Sequence, residues 1–400
     1  MEKSMSAPRP GMRPASRRPL AVLALGAVSL VLSGCGVTSA GSSDGPRTDR
    51  EEAEVAHAAS LVDRYRAEAT TFPEPGPPLD HAKVAALSGK TVLFVPIGAG
   101  AAPFIQQKAA LEAALARVGI RLDLCDPKFV PTAAAMCMTG TQANAAAAVI
   151  TSGVPFAVAP NAYRALATRR TPTLAANSGP GSPPNTGTLA YMPFVAAAEK
   201  QARLQADVAV AAAKGARTFL YVNGIDSPVL KDLAAATTAE MKARCAACQV
   251  IDAGFSTTNI NQLPALVSSR FIRDPDIDTV LIQADSFVPG VLSGIQSAGV
   301  TAKVRGVGQS ADLSVLEMIR RGQFISADVG VSNPYEGWLE ADGILRLLTG
   351  SPVEREPFVP IRIFDTKNLA GADLTPSANI DTLFGSAAYQ DAFLRAWGVR

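Results

Sequence analysis

A chain of 400 residues exceeds one ordinary domain and accommodates two α/β lobes plus an export segment. Hydrophobic residues make up 48% and charged residues only 18%, a balance that permits a sizeable core and excludes an intrinsically disordered chain. The formal net charge is +2, yet Lys3, Arg9, Arg13, Arg17 and Arg18 against Glu2 give residues 1–34 a net +4, so the remainder carries −2 and offers no electrostatic footprint for nucleic acid.

The first predicted element is an export segment. Arg17 and Arg18 precede an apolar run from Ala21 to Leu32. That run is shorter than the roughly 20 residues of a membrane-spanning helix and has the length of a signal-peptide core. It ends in Leu32-Ser33-Gly34-Cys35, which resembles the lipobox of bacterial lipoproteins. The resemblance implies a signal peptide over residues 1–34 and a mature protein starting at a lipid-modified Cys35. Acyl chains would then hold it at the extracellular face of the cell membrane, at about 0.8 kcal/mol per buried methylene. Residues 35–87 read as tether and spacer. Gly36 to Arg50 is rich in Gly, Ser, Thr and Asp, Glu51 to Ala69 has helical spacing, and Phe72 to Pro78 is a stiff proline-rich segment. The folded body is expected from about Ser88.

Cys35 aside, four cysteines remain, an even number that suggests two disulfides in an oxidising compartment. Proximity pairs Cys125 with Cys137 and Cys245 with Cys248. A thiol redox site or half a zinc site is the alternative for Cys245-Ala-Ala-Cys248. The only histidines, His57 and His81, precede the body, however, and the motif lies where a helix runs into a strand. No metal and no cofactor is expected.

In the body, strand-like runs alternate with helical stretches. The runs are 91–95, 121–124, 156–158, 173–176, 189–191, 218–222, 250–253, 279–283, 303–307, 325–329 and 359–364. Helices are predicted over 104–118, 194–214, 227–245, 263–272, 288–298 and 335–348. This alternation means βαβ units and parallel sheets covered on both faces, and there are too many strands for one open sheet. Ligands of such sheets bind beyond the C-terminal strand ends. The loops there hold Asn177, Asn223, Asp285 and Gln309 rather than catalytic constellations. The chain lacks G-x-S-x-G and H-E-x-x-H and has no histidine in the body, which argues against an enzyme.

Four segments carry a family resemblance: Val92–Pro96 with Pro103-Phe104; Asp274–Val280 followed by Gln283-Ala284-Asp285; Gly322–Val329; and Arg362–Asp365 with Asn368. Over residues 88–370 the body resembles the type I periplasmic binding proteins, especially ribose-binding-like sugar receptors of ABC transporters in their actinobacterial lipoprotein branch. The resemblance implies two doubly wound parallel-sheet lobes on a three-strand hinge. The expected division is 88–191 plus 329–369 for lobe one and 192–328 plus 370–400 for lobe two, with crossings near Tyr191, Asp328 and Leu369. It also implies that Phe104 packs on a ligand face, that Asn177 and Asp285 grip ligand hydroxyls, that Asn261 adds a polar contact and that Asp328 stands near the hinge. Gly98-Ala99-Gly100-Ala101-Ala102, where the family has larger residues, would leave room for a bulkier or less polar ligand. The expected function is capture of a small polar solute by hinge closure and delivery, as a monomer, to a transporter permease. The alternative is a sensor that presents its closed form to a signalling receptor.

Overall fold

The computed structural model describes residues 49–67, 71–179, 181–213, 218–375 and 378–399. The export segment and Cys35 lie outside the described residues.

Strand-forming runs here are apolar on both faces, as a sheet sandwiched between helices requires: Val92, Leu93, Phe94 and Val95 are all fully buried. Five parallel strands form the first sheet in the order β2-β1-β3-β4-β5. They are β1 (Thr91–Pro96), β2 (Arg121–Leu124), β3 (Ala148–Ser152), β4 (Thr173–Ala176) and β5 (Leu189–Met192). The second sheet contains β6 (Thr218–Gly224), β7 (Gln249–Phe255), β8 (Ile277–Ile282), β9 (Arg305–Gln309), β10 (Ile325–Val331) and β11 (Ile361–Asp365). Its order is β11-β10-β9-β8-β6-β7, parallel except for the antiparallel edge strand β11. Successive residues feed opposite cores. Phe94 and Leu93 belong to different clusters of the first lobe, and Leu220 and Phe219 to different clusters of the second.

The expected strand at 156–158 is a turn, and the strand stands earlier, at Ala148–Ser152. Four consecutive alanines precede Val149 and mask it, because alanine favours helix. The β-branched Val149-Ile150-Thr151 triplet decides the outcome, with all three side chains fully buried.

The lobe boundaries also differ from those expected. β10 and β11 both belong to the second sheet, so residues 329–331 and 361–365 lie in lobe two. Leu369 is no crossing point but a fully buried member of the lobe-two core. The helix Asn333–Thr349 packs on lobe one. The C-terminal helix Tyr389–Trp397, expected on lobe two, also joins lobe one, where Trp397 stacks on Trp338 with ring centroids 5.4 Å apart. Among the described residues the chain passes between lobes five times: from 66 to 72, at 193–194, at 331–333, across 350–360 and from 384 to 389.

Nor does the body begin near Ser88. The N-terminal helix Asp49–Arg66 buries Ala58 and Val62 against lobe two. Arg66 donates to Asp365 at 2.8 Å, and Glu54 accepts from Arg244 at 2.8 Å. Arg244 also bonds Asp207 and Glu240, so one half-buried guanidinium ties three elements. The proline-rich segment is likewise seated. Phe72 stacks on Tyr335 at 5.7 Å, and the carbonyls of Pro75 and Pro77 accept from Arg346.

Both disulfides are present, Cys125–Cys137 and Cys245–Cys248, with Cα atoms 5.8 and 5.3 Å apart. The first pins the end of β2 to the helix Pro131–Thr139, and the second fastens the turn from the helix Pro228–Arg244 into β7.

Because Asp49–Arg66 is packed rather than a free tether, a chain starting at Phe72 loses a buried helix face. It should be less stable than one starting at Asp49 by about 3 kcal/mol, from one buried valine and its partners, with a melting midpoint lower by roughly 5 °C or more. Equal midpoints in calorimetry would show that the helix contributes nothing.

Candidate functional site

The C-terminal ends of the strands in both sheets open onto one cleft of about 250 Å³. Lobe one contributes the first turn of the helix Ala102–Ala116, the residues after β3 and β4, and the helix Asn333–Thr349. Lobe two contributes Val229, Asp232 and Leu233 of the helix Pro228–Arg244, and Ser310 after β9.

A buried polar network forms the lobe-one floor. Glu336 Oε2 accepts from Gln107 Nε2 and from Asn177 Nδ2, both at 3.2 Å. Asn177 also donates to Ser152 Oγ at 3.3 Å, and Ser152 donates to Gln107 Oε1 at 2.9 Å. Asn177 sits at φ 46°, a left-handed conformation that asparagine tolerates and that turns its amide into the network. Phe104 lines the wall next to Gly153 (φ +70°), where an added Cβ would come within 2.9 Å of the Phe104 ring. Glycine is therefore required at 153 on both conformational and steric grounds. Burial pushes the Glu336 carboxyl up to about 7, only partly offset by Asn177. One turn deeper, Glu340 is fully buried and makes no hydrogen bond with either oxygen. Burial and the neighbouring Glu336 drive it well above the usual carboxylate range, and the nearby Ser152 hydroxyl, itself donating to Gln107, offsets only part of this.

Lobe two holds its cleft loop by a different device. Asp285 accepts from the backbone N–H of Gln309 at 3.1 Å and of Asp312 at 2.8 Å. Asp328 Oδ1 accepts from Ser310 and Ala311 at 3.3 and 2.8 Å. Together the two carboxyls hold Gln309–Asp312 in a strained path, with Ser310 at φ 149° and Ala311 at φ 60°. They flank Gly308, where a Cβ would lie 2.3 Å from Asp328 Oδ2 and 2.7 Å from Asp285 Oδ1. Burial raises both: Asp285 well above the carboxylate range, with Asp328 adding to the rise, and Asp328 to about 6. Asp312 rises to about 7, mostly through burial and then through Asp285.

Of the seven residues singled out in the sequence, Phe104 and Asn177 line the cleft. The other five do not. Asn223 is buried behind it, donating to Asp252 Oδ1 at 2.5 Å. Asn261 is exposed on a 3₁₀ turn away from the cleft. Gln309 is the buried last residue of β9, bonded through its backbone to Asp285. Asp285 and Asp328 direct their oxygens at backbone amides of their own lobe, and Asp328 lies within β10 rather than at the passage between lobes, which comes at 331–333. Gln107, Asn333 and Glu336 were missed. The signal for Glu336 was a carboxylate repeating at i, i+4 with Glu340 across the apolar stretch Gly337, Trp338 and Leu339.

Two parallel-sheet lobes facing one cleft define the fold of the type I periplasmic binding proteins. Solved structures similar to this chain bear that out. A 5-methylthioribose transporter solute-binding protein from Thermotoga lettingae superposes with TM-score 0.63 at 11% identity, covering 84% of this chain and 100% of that one. The myo-inositol-binding protein from Caulobacter gives TM-score 0.62 at 15% identity, covering 72% and 96%. A periplasmic ribose ABC transporter protein from Conexibacter woesei gives 0.60 at 16%, covering 79% and 99%. Neither a protein-family model nor a curated protein sequence matches the chain.

The raised carboxyls make stability depend on pH. Asp328, Asp312 and Glu336 hold their protons more tightly folded than unfolded. The stability this confers is complete below about pH 4, the ordinary carboxylate pKa, and is lost as pH rises through about 6 to 7. Asp328→Asn keeps the oxygen that Ser310 and Ala311 use and places an amide donor opposite Asp285. It should raise stability at pH 7 by about 1 kcal/mol and flatten the decline from pH 4 to 7 in denaturant titrations. Lower stability of the variant at pH 7 would contradict this account of the pair.

Proposed function

We propose that this protein is a solute-binding protein, not an enzyme, which captures one small polar molecule of sugar or polyol size between its lobes and passes it to an ABC transporter permease. The observation that carries the reading is the cleft. It is lined by both lobes, about 250 Å³ in volume, floored by hydrogen-bonding Gln107, Asn177 and Glu336 and walled by Phe104. That volume falls below the roughly 300–1,000 Å³ of drug-sized pockets and matches a ligand of monosaccharide size. Groups supplied by both lobes make the closed form more favourable with ligand present than without it. The similar structures point the same way, since they are receptors for 5-methylthioribose, ribose and myo-inositol.

On this reading the N-terminal segment exports the chain, and a lipid on Cys35 holds it at the extracellular face of the membrane, where disulfides persist. No nucleic acid, metal or cofactor takes part, and the protein acts as a monomer.

A thermal-shift screen of the purified protein against pentoses, hexoses, polyols, thiosugars and amino sugars tests this. A ligand at one hundred times its Kd should stabilise the protein by about 2.7 kcal/mol. Asn177→Ala, which removes a donor from Glu336, should weaken binding roughly tenfold (about 1.4 kcal/mol). A screen in which no compound moves the melting midpoint would overturn the proposal.

A further inference from the structure

The cleft is unbalanced in charge. Among the described residues three acidic side chains line it, Glu199, Asp232 and Glu336, and no lysine, arginine or histidine does. Glu199 has a partner in Arg203 at 3.7 Å, on the same helix. Glu336 has none of opposite charge. Its Oε2 is held by the two neutral amides of Gln107 and Asn177. Behind it Glu340 is fully buried, both oxygens without a partner.

This differs from a floor built for neutral hydroxyls alone. The donors of Gln107 and Asn177 are already turned inward to Glu336 and Ser152, so the floor presents acceptors and needs donors from the ligand. A buried carboxyl without a counter-charge is costly to ionise, and here two stand one helical turn apart, so a bound cation would be the natural partner of the ionised form. Elsewhere in the same helix the problem is solved within the chain. Asp342 accepts from Arg346 at 2.6 Å and from the Trp397 ring nitrogen at 2.9 Å. Glu336 and Glu340 are the uncompensated pair, and Glu336 is the one at the cleft surface. Phe104 adds an aromatic face on the neighbouring wall, the other group that attracts a cation.

We propose that the ligand carries a protonated amine, which seats against Glu336 on the Gln107–Asn177 floor beside the Phe104 ring: an amino sugar or amino polyol rather than a neutral one. The ammonium supplies the missing positive charge and hydrogen-bond donors, while hydroxyls of the same molecule meet Asn333 and Ser310. Asp232, across the cleft on lobe two, adds attraction at the rim. This inference rests on the reading of the cleft as a solute site and narrows its substrate class.

Calorimetric titration of the full chain with matched pairs tests it: glucosamine against glucose, ribosylamine-type 1-amino-1-deoxyribitol against ribitol, and an aminodeoxyinositol against myo-inositol. In at least one pair the amine should bind ten times tighter or more. Glu336→Gln, which retains an oxygen for Gln107 and Asn177, should bring that ratio to within about twofold. Asp232→Asn, at an exposed position where folding is not in question, should lower amine affinity about two- to threefold. Raising salt should weaken the amine and not its neutral partner. Neutral members binding as tightly as the amines, or a ratio untouched by Glu336→Gln, would overturn the amine assignment and leave a neutral-solute receptor standing. Binding by neither class would remove both.

Discussion

The helix Asn333–Thr349 sets the terms for the rest of the molecule, because it runs almost wholly buried while carrying three acidic side chains and one basic one. Burying charge is tolerable only where each group finds a partner or keeps its proton. The far half of the helix takes the first course. Arg346 reaches Asp342 and the carbonyls of Pro75 and Pro77, and Trp397 completes the shell, so a chain segment from each end of the sequence is fastened to it. The near half takes the second, with Glu336 and Glu340 held by burial above the ordinary carboxylate range. One element thus splits into an anchored end and a reactive end. The reactive end faces the cleft, which is where local rules of folding are expected to be broken in favour of binding.

The two lobes shape the cleft by opposite means. Lobe one exposes side chains from helices and strand ends, turned by Asn177 and cleared by Gly153. Lobe two spends its carboxyls on backbone amides, so that Asp285 and Asp328 act as struts for the loop carrying Ser310. Gly308 between them leaves just the space the two carboxyls occupy. A loop held this way presents its hydroxyl at a fixed position with little entropy left to lose.

Much of the architecture was readable in the sequence because it is local. Strand and helix alternate in ranges that depend on β-branched runs and helical spacing, and both disulfides followed from proximity. The strand at Ala148–Ser152 escaped because four alanines hid a short β-branched triplet. The site was far less legible, for reasons of distance. Asp285 looked like a ligand group at a strand end, yet its partners lie 24 and 27 residues further on, where no spacing rule reaches. Glu336 joins a glutamine 229 residues away. Nor could composition reveal that the polar N-terminal stretch around Ala58 is a packed helix, since its apolar face is narrow and its partner surface arises only when lobe two is folded.

The aromatic cluster of lobe one joins Phe72 to Tyr335, Tyr389 and Phe393, and Trp338 to Trp397. Its members come from three separate stretches, at 72, at 335–338 and at 389–397. Closing this cluster joins segments far apart in the chain, a loop-closure cost that makes lobe one slower to complete than a lobe built from neighbouring segments.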